Sequence, residues 1–297
     1  EKFLQSHNPP QPSLTLREGA VPFSIIIGGA GATGVELAAA LAYQFRGIDK
    51  SKWSIALVEA LPRVLAMFPN SLSQYAHRRL EDLGVKLMLD TCIKSVEFYP
   101  SPPPSPRVGE GDRRLDGVEV VLAPRPLRPG ETESSLVCDF LPEHEKRMQP
   151  NLLVWTGGVR ANGLLATCGI PTDKKGRVEV DEHMALKVVE RVYAIGDNAL
   201  LVDPTTKQPV PGAAQAALAQ AEIAAGNIAA AVHITTPLLY PFPKFPAIIP
   251  LAGGDAVALF GTRVIKGWPA RVLRAAADCR YFASIVGWWK AMRRCIM

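Results

Sequence analysis

Residues 25–42 read IIIGGAGATGVELAAALA, and this stretch decides how the rest of the chain is interpreted. A short β-branched run leads into a glycine-rich turn, after which apolar residues recur at helical spacing. Gly29, Gly31 and Gly34 have the spacing G-x-G-x-x-G. The first glycine of this pattern permits a tight turn, the second lets backbone approach a pyrophosphate, and the third lets helix and strand pack closely. The pattern therefore predicts a dinucleotide at the N-terminus of the helix.

The following residues complete a β-α-β unit. WSIALVEA, residues 53–60, predicts a second strand, and Glu59 stands near its end, where an acid meets a ribose 2′-hydroxyl. Glu59 favours NADH, because the 2′-phosphate of NADPH would meet a like charge, although Arg63 nearby could accommodate a phosphate. A glycine turn that serves only packing is the alternative.

Further strands and helices are predicted from apolar runs and their spacing. The predicted strands are 85–99, 117–124, 135–141, a buried strand at 151–158, 177–186 and 191–197, and the predicted helices are 71–84 and an Ala-rich one from Gly212. PSPPPSPRVGEGDRR, residues 100–114, cannot form regular structure, because consecutive prolines lack donors and fix φ. We expect it to be an exposed hairpin loop.

Two acidic residues are further candidates. VYAIGD, residues 192–197, predicts a strand that ends in Gly196 and Asp197, a carboxylate suited to accept hydrogen bonds from sugar or ribitol hydroxyls. A turn or cap residue is the alternative for Asp197. Glu36 is predicted in the first helical turn after the glycines, either as a helix-start charge or as a cofactor contact.

Charge and cysteine content restrict the class of protein. The chain has 297 residues and a net charge of +5, and residues 261–297 hold eight basic residues against Asp278 alone. Five scattered cysteines show no C-x-x-C pair, which argues against a disulfide framework or a metal site and fits a reducing compartment. The apolar run from Pro211 carries Gln and Glu side chains that are costly in lipid, so we predict a helix outside the membrane.

Four stretches in this order resemble the type II NAD(P)H:quinone oxidoreductases of the pyridine nucleotide-disulfide oxidoreductase superfamily. These are the opening stretch, LLVWTGGVRAN, VDEHMALKVVERVYAIGDNA and PGAAQAALAQAEIAAGNIAAA. The stretch PLLYPFPKFPAIIPLAGGDAVALFG looks most like the plastid and cyanobacterial branch, which is associated with phylloquinone and plastoquinone. The resemblance implies a Rossmann-like α/β flavoprotein with two dinucleotide-binding domains. It also implies FAD and NAD(P)H as cofactors, with no catalytic side chain and no metal.

The resemblance implies a role for each matching residue. For NAD(P)H, the pyrophosphate would be held by Gly29, Gly31 and Gly34 and the ribose by Glu59, while Glu36 and Gly158 would lie towards the nicotinamide. For FAD, Gly196 and Asp197 would bind the ribitol side. Ala214 and Gln215 would stand beside the isoalloxazine, where quinone approaches. The implied domains are a linker (1–20), an NAD(P)H domain (21–160) with an insertion at 100–135, the C-terminal part of an FAD domain (161–235), and a region for membrane association or dimerisation (236–297).

Two departures from the family pattern limit what is carried over. The first β-α-β unit, which would hold the FAD adenylate, is absent, so we expect a fragment, a truncated gene model or one half of a split protein. Gln220 stands one place after the position expected for the second quinone-contacting glutamine, which is Ala219 here. The alternatives in function are a non-catalytic nucleotide-binding module and a disulfide reductase of the same superfamily.

The C-terminal residues predict a helix that lies in a membrane surface. Phe282, Ile285, Trp288 or Trp289, Met292 and Ile296 fall on one stripe, flanked by Arg280, Lys290, Arg293 and Arg294. A core-facing helix or a homodimer contact is the alternative. We expect a peripheral membrane protein of the chloroplast, the mitochondrial inner membrane or a bacterial plasma membrane, and no binding of nucleic acid.

Overall fold

The computed structural model describes residues 22–99, 117–124, 145–233 and 235–287. The chain divides into two compact units, of which unit 1 comprises residues 1–156 and 250–255 and unit 2 comprises residues 157–249 and 256–297. The Pro-rich loop, the strand expected at 135–141 and residues 288–297 of the expected amphipathic helix lie outside the described residues. The domain boundaries drawn from the sequence stay predictions.

The regular elements follow in chain order. The strands are β1 Phe23–Gly28, β2 Trp53–Val58, β3 Lys86–Met88, β4 Thr91–Tyr99, β5 Gly117–Pro124, β6 Lys146–Met148, β7 Leu152–Trp155, β8 Val178–Glu179, β9 Ala199–Leu200, β10 Ala247–Pro250, β11 Ala256–Phe260 and β12 Arg263–Lys266. The helices are α1 Ala32–Gln44, α2 Asn70–Asp82, α3 Leu164–Thr167, α4 Ala214–His233 and α5 Trp268–Val286.

A parallel sheet in the order β3-β2-β1-β7 forms the centre of unit 1. Ile25 pairs with Ile55 and Ile27 with Leu57, and all four side chains are buried. These β-branched and aliphatic residues suit a strand that is covered on both faces. Helix α1 connects β1 to β2 through the glycine-rich turn, which confirms the predicted β-α-β unit.

Strand β7 differs from its prediction as a buried strand. It lies at the edge of the sheet, where β1 is its partner, and Trp155 is 64% exposed. An apolar run of four to eight residues does not itself distinguish an edge strand from a central one, because that depends on which strands pair beside it.

An antiparallel sheet in the order β4-β5-β6 covers part of the parallel sheet. Val120 and Leu122 of β5 are buried in one cluster with Ile26 of β1 and Val58 of β2. The strands predicted at 85–99 and 117–124 are therefore confirmed, and they enclose the apolar core that supports the end of β1.

The loop 250–255 belongs to unit 1, although it is distant in sequence from the rest of that unit. The Tyr75 hydroxyl of α2 donates to Oδ1 of Asp255 at 2.9 Å, and Nε of Arg79 lies 3.3 Å from Oδ2 of the same carboxylate. Arg79 also donates to the Ala252 carbonyl. Burial and the hydrogen bond to Asp255 raise the pKa of Tyr75.

Unit 2 has less regular structure than its sequence predicts. Only Val178–Glu179 of the strand expected at 177–186 pairs as a strand, with β9. The strand expected at 191–197 is reduced to a bridge between Tyr193 and Ala185 and hydrogen bonds to neighbouring residues. Met184 and Arg191 have φ of 66° and 62°, and this left-handed backbone interrupts an extended ladder.

The core of unit 2 packs beneath α4. Asn227 of this helix is 3% exposed and fixes a distant segment: its amide donates to the carbonyls of His183 and Leu238, and its Oδ1 accepts from the Leu238 N–H. Tyr240 is buried near these hydrogen bonds of Asn227. Its hydroxyl has no partner among the described residues, and burial raises its pKa. The helix predicted from Gly212 is confirmed and begins at Ala214.

The antiparallel sheet β10-β11-β12 is covered by α5. Ala270 on the helix packs against Ala256 and Ala258 of β11. Cys279 of α5 is disulfide-bonded, a bond that the scattered cysteine spacing did not predict. Within the described ranges, no helix combines the length and apolar character needed to cross a membrane.

Candidate functional site

The glycine turn of unit 1 closes on itself through backbone contacts. Gly29 has φ of 100°, and its N–H donates to the Val58 carbonyl of the neighbouring strand at 2.8 Å. A Cβ placed on Gly34 would lie 1.9 Å from the Gly29 carbonyl oxygen. Both positions therefore require glycine, the first for its φ and the second for the close approach of helix and turn.

Thr156 fastens the same turn from the end of β7. Its hydroxyl lies 2.9 Å from the carbonyl oxygens of both Gly28 and Gly29, so its single proton can be donated to either of them. The Thr156 N–H donates to the Gly28 carbonyl at 2.7 Å. The sequence did not identify Thr156, because a threonine after a strand carries no signal for a contact 127 residues away.

Gly31 is the open position of the turn. It precedes the first residue of α1, no side chain caps the helix there, and a Cβ on Gly31 would have no atom within 4 Å. The Val35 N–H donates to the Gly31 carbonyl, so the N–H groups of residues 32–34 face the helix entrance without an intrahelical acceptor. This arrangement leaves room and unused donors for an anionic group.

The Glu59 carboxylate lies beside the turn, as the sequence predicted. Its Oε2 accepts from the Ala30 N–H at 2.6 Å, and its Oε1 accepts from the Leu61 N–H at 3.1 Å. The Glu59 N–H and carbonyl bond to Met88 and Thr91. The acid is thus held at the end of β2 by backbone on both sides.

Arg63 does not face outward as a free cation. Its guanidinium donates to the carbonyl of Phe68 at 2.8 Å and to that of Ala66. These bonds hold the turn at 66–68, so the guanidinium has a structural task within its own loop. The expectation that Arg63 could accommodate a phosphate finds no support in this geometry.

Glu36 and Gly158 are the less informative candidates. Glu36 is the fifth residue of α1, and the first helical turn contains no acid, so its prediction as a first-turn charge was wrong. The helix begins at Ala32, inside the glycine motif, which moves Glu36 one turn further along. Gly158 has φ of 104° and is open at its Cβ position, in unit 2.

The second acidic candidate, Asp197, lies on a tight turn in unit 2. Residues Gly196–Asn198 form a single 3₁₀ turn, in which Gly196 has φ of 62°. A Cβ on Gly212 would lie 2.8 Å from Oδ1 of Asp197, so the carboxylate stands directly over that glycine. No described residue donates a hydrogen bond to the Asp197 side chain, which is exposed.

The start of α4 lies next to this turn in space, although fifteen residues separate them in sequence. Ala214 and Gln215 are both exposed, and Gly212 precedes them by two and three residues. Gln220, further along the helix, is buried at 3% exposure, and its Oε1 accepts from the Gly196 N–H at 2.7 Å. The turn and α4 are therefore joined by a hydrogen bond. Groups of side chains that could hold a metal ion are not found in the described part of the chain.

Residues 11–221 match the family model described as pyridine nucleotide-disulphide oxidoreductase. The chain belongs to this family. Membership agrees with the glycine turn and with the acid at the end of β2, and it confirms the dinucleotide-binding α/β fold that was predicted from the sequence.

Curated relatives of this chain include proteins named type II NADH:quinone oxidoreductase. That of Staphylococcus epidermidis RP62A is 26% identical over 270 residues, which cover 89% of this chain and 58% of the relative. That of Staphylococcus aureus MSSA476 is 24% identical with the same coverage. This chain therefore spans about 58% of the length of the relatives that it matches.

Solved structures show the same fold at low identity. NDH2 from Plasmodium falciparum in complex with RYL-552 superposes with a TM-score of 0.68 at 13% identity, over 92% of this chain and 65% of that one. A ferredoxin reductase from Rhodopseudomonas palustris gives a TM-score of 0.53 at 21% identity, over 79% of this chain and 46% of that one. At these identities the likeness shows the fold alone.

Proposed function

We propose that the full-length protein takes hydride from NADH onto a bound flavin and passes two electrons to a membrane quinone. The observation that carries this proposal is the glycine turn: Gly31 is open, the N–H groups of residues 32–34 face the helix entrance, and Glu59 is fixed beside it. The names of the curated relatives support the quinone as electron acceptor.

Each candidate residue has a task in this proposal. The backbone of Gly29–Gly34 holds the pyrophosphate and Glu59 accepts hydrogen bonds from the adenine-side ribose. Asp197 accepts hydrogen bonds from the hydroxyl groups of the flavin side chain, while Ala214 and Gln215 border the flavin ring. Gly158 and Glu36 lie towards the nicotinamide. The flavin supplies the exchange between a two-electron hydride donor and a quinone.

The coenzyme is proposed to be NADH rather than NADPH. A 2′-phosphate would meet the Glu59 carboxylate, whose position is fixed by Ala30 and Leu61. The guanidinium of Arg63 is engaged by the carbonyls of Phe68 and Ala66 and is not offered to a phosphate. The fixed Glu59 carboxylate and the engaged Arg63 guanidinium both favour NADH over NADPH. For the quinone, the sequence resemblance favours a phylloquinone or plastoquinone type, and with it a chloroplast location.

The test uses the purified full-length protein and its flavin absorbance. NADH should bleach the flavin bands faster than NADPH at equal concentration, and reoxidation by quinone should follow ping-pong kinetics. Gly31→Ala fills the open position and should weaken NADH binding by about tenfold, or about 1.4 kcal/mol. Gly47→Ala is the matched control, because Gly47 is equally open but lies beyond the other end of α1. Absence of a flavin, or equal effects of the two substitutions, would refute the proposal.

Contact with the membrane is proposed for the outer face of α5. Trp268 is 72% exposed and Ile285 is 61% exposed, and Arg271, which lies within about 60° of both around the helix axis, is exposed beside them. Each basic residue near anionic headgroups contributes about 1 kcal/mol. The variant Arg271→Gln should float less with anionic vesicles than the wild type and equally little with neutral ones. Unchanged flotation with anionic vesicles would contradict the proposed surface.

A further inference from the structure

Gln220 of α4 is buried and bonds to backbone outside the helix. Its side chain is 3% exposed, and its Oε1 accepts from the Gly196 N–H at 2.7 Å across 24 residues of chain. Gly196 is close to the helix at a second point, since a Cβ there would lie 3.4 Å from that of Ala217. The turn Gly196–Asn198 is thus fixed to α4 by one hydrogen bond, at a place where Gly196 and Ala217 lie close together.

This attachment determines where the next side chain lies. Asp197 follows the fixed Gly196, and its Oδ1 stands 2.8 Å from the position that a Cβ on Gly212 would occupy. Gly212 leads into the first turn of α4, so the carboxylate is held at the entrance of that helix. Because no described residue donates to it, its oxygens remain available to hydroxyl groups of a ligand.

The position of Gln220 on the helix separates it from the exposed Gln215. Five residues correspond to a rotation of about 140° around the helix axis, so the two amides point to different sides. Gln215 is exposed and Gln220 is buried. A side chain that is buried and bonded to backbone does not meet a quinone that approaches beside Gln215, so its contribution must be made through the turn.

We propose that Gln220 is a positioning residue, which holds the Gly196 N–H and thereby sets the Asp197 carboxylate for the flavin side chain. This rests on the proposed function, in which Asp197 binds the flavin. A site of this kind requires its orienting shell to be fixed before the ligand binds, because a loose carboxylate loses part of its hydrogen-bond energy to ordering.

The experiment compares three variants of the full-length flavoprotein. Gln220→Met keeps the side-chain length but removes the acceptor, and Gln220→Glu keeps an acceptor oxygen at the same place. Asn227→Leu is the matched control: Asn227 is on the same helix, is equally buried, and is bonded to a different segment. The readouts are the dissociation constant of FAD, the visible circular dichroism of the bound flavin, the affinity for NADH, and the melting temperature.

Gln220→Met should weaken FAD binding by about tenfold and alter the flavin dichroism, while NADH affinity stays at the wild-type value. Gln220→Glu should restore most of both flavin readouts. Asn227→Leu should lower the melting temperature at least as far and leave FAD affinity within about twofold. The inference is overturned if Gln220→Met binds FAD as tightly as the wild type, or if Asn227→Leu weakens FAD binding equally. A wild type without flavin refutes the proposed function instead.

Discussion

Two turns in this molecule contain the same kinds of residue but differ in how their acidic side chains are hydrogen-bonded. Each has a glycine with positive φ, an acid and the start of a helix, in unit 1 around Gly29 and Glu59 and in unit 2 around Gly196 and Asp197. Glu59 accepts from backbone on both carboxylate oxygens, whereas Asp197 has no donor among the described residues. The first acid therefore helps to hold its own turn together, while the second makes no hydrogen bond to a described residue and follows Gly196, whose N–H is held by Gln220.

The largest effect is expected at Gly34. A Cβ there would overlap the Gly29 carbonyl at 1.9 Å, and backbone must move to relieve it, so Gly34→Ala should lower the free energy of unfolding by about 3 kcal/mol. Gly31→Ala should leave the melting temperature unchanged, because its Cβ meets nothing. Denaturant unfolding of both variants checks this. Equal stability of the two would show that the turn is not closed as described.

An effect of intermediate size on folding stability should distinguish Glu59 from Asp197. Glu59→Ala leaves the N–H groups of Ala30 and Leu61 without acceptors and should cost about 2 kcal/mol of folding stability. Asp197→Ala should change stability by less than about 0.5 kcal/mol, since no described residue bonds to that side chain. Both measurements are made in the absence of nucleotide and flavin. A larger loss for Asp197→Ala would reverse the comparison between the turns.

The smallest effect concerns one tyrosine in each unit under alkaline conditions. The pKa of Tyr75 and that of Tyr240 are raised by burial, so both phenols stay protonated in the folded protein when the unfolded chain loses their protons. Their stabilisation is present below pH about 10 and falls as the pH rises through the folded-state values, by less than about 1 kcal/mol each.

The matched variants Tyr75→Phe and Tyr240→Phe test this dependence. Each should flatten the loss of stability between pH 9 and 11, measured as melting temperature against pH. At pH 7 they should differ: Tyr75→Phe loses the bond to Asp255, whereas Tyr240→Phe removes a buried hydroxyl without a described partner and should be neutral or stabilising. Unchanged slopes in both variants would contradict the assigned burial.

The sequence predicted those parts that depend on local spacing. The β-α-β unit, its glycines and the position of Glu59 follow from periodicity and from φ requirements that glycine alone meets readily. It did not predict features that depend on distant partners. Trp155 is exposed because β7 is an edge strand, and residues 191–197 form bridges because backbone at Met184 and Arg191 is left-handed.

The same limit explains the supporting residues. Thr156 and Gln220 act through hydrogen bonds to backbone 127 and 24 residues away, and neither residue type at its position indicates such a partner. In the sequence Gln220 is only a departure from a family pattern, and its proposed positioning role depends on its burial in the structure. The roles assigned to the candidate residues stay predictions until the ligand experiments are made.

Residues 250–255 contact α2 although they lie far from it in sequence, so these contacts form late in biosynthesis. Tyr75 and Arg79 emerge from the ribosome long before Asp255, so the surface they share with that loop cannot be completed while only the first 156 residues exist. A polypeptide released at Thr156 would lack Asp255 and Ala252, which bond to Tyr75 and Arg79 in the intact protein. Unit 1 thus reaches its final stability only after most of unit 2 has been translated.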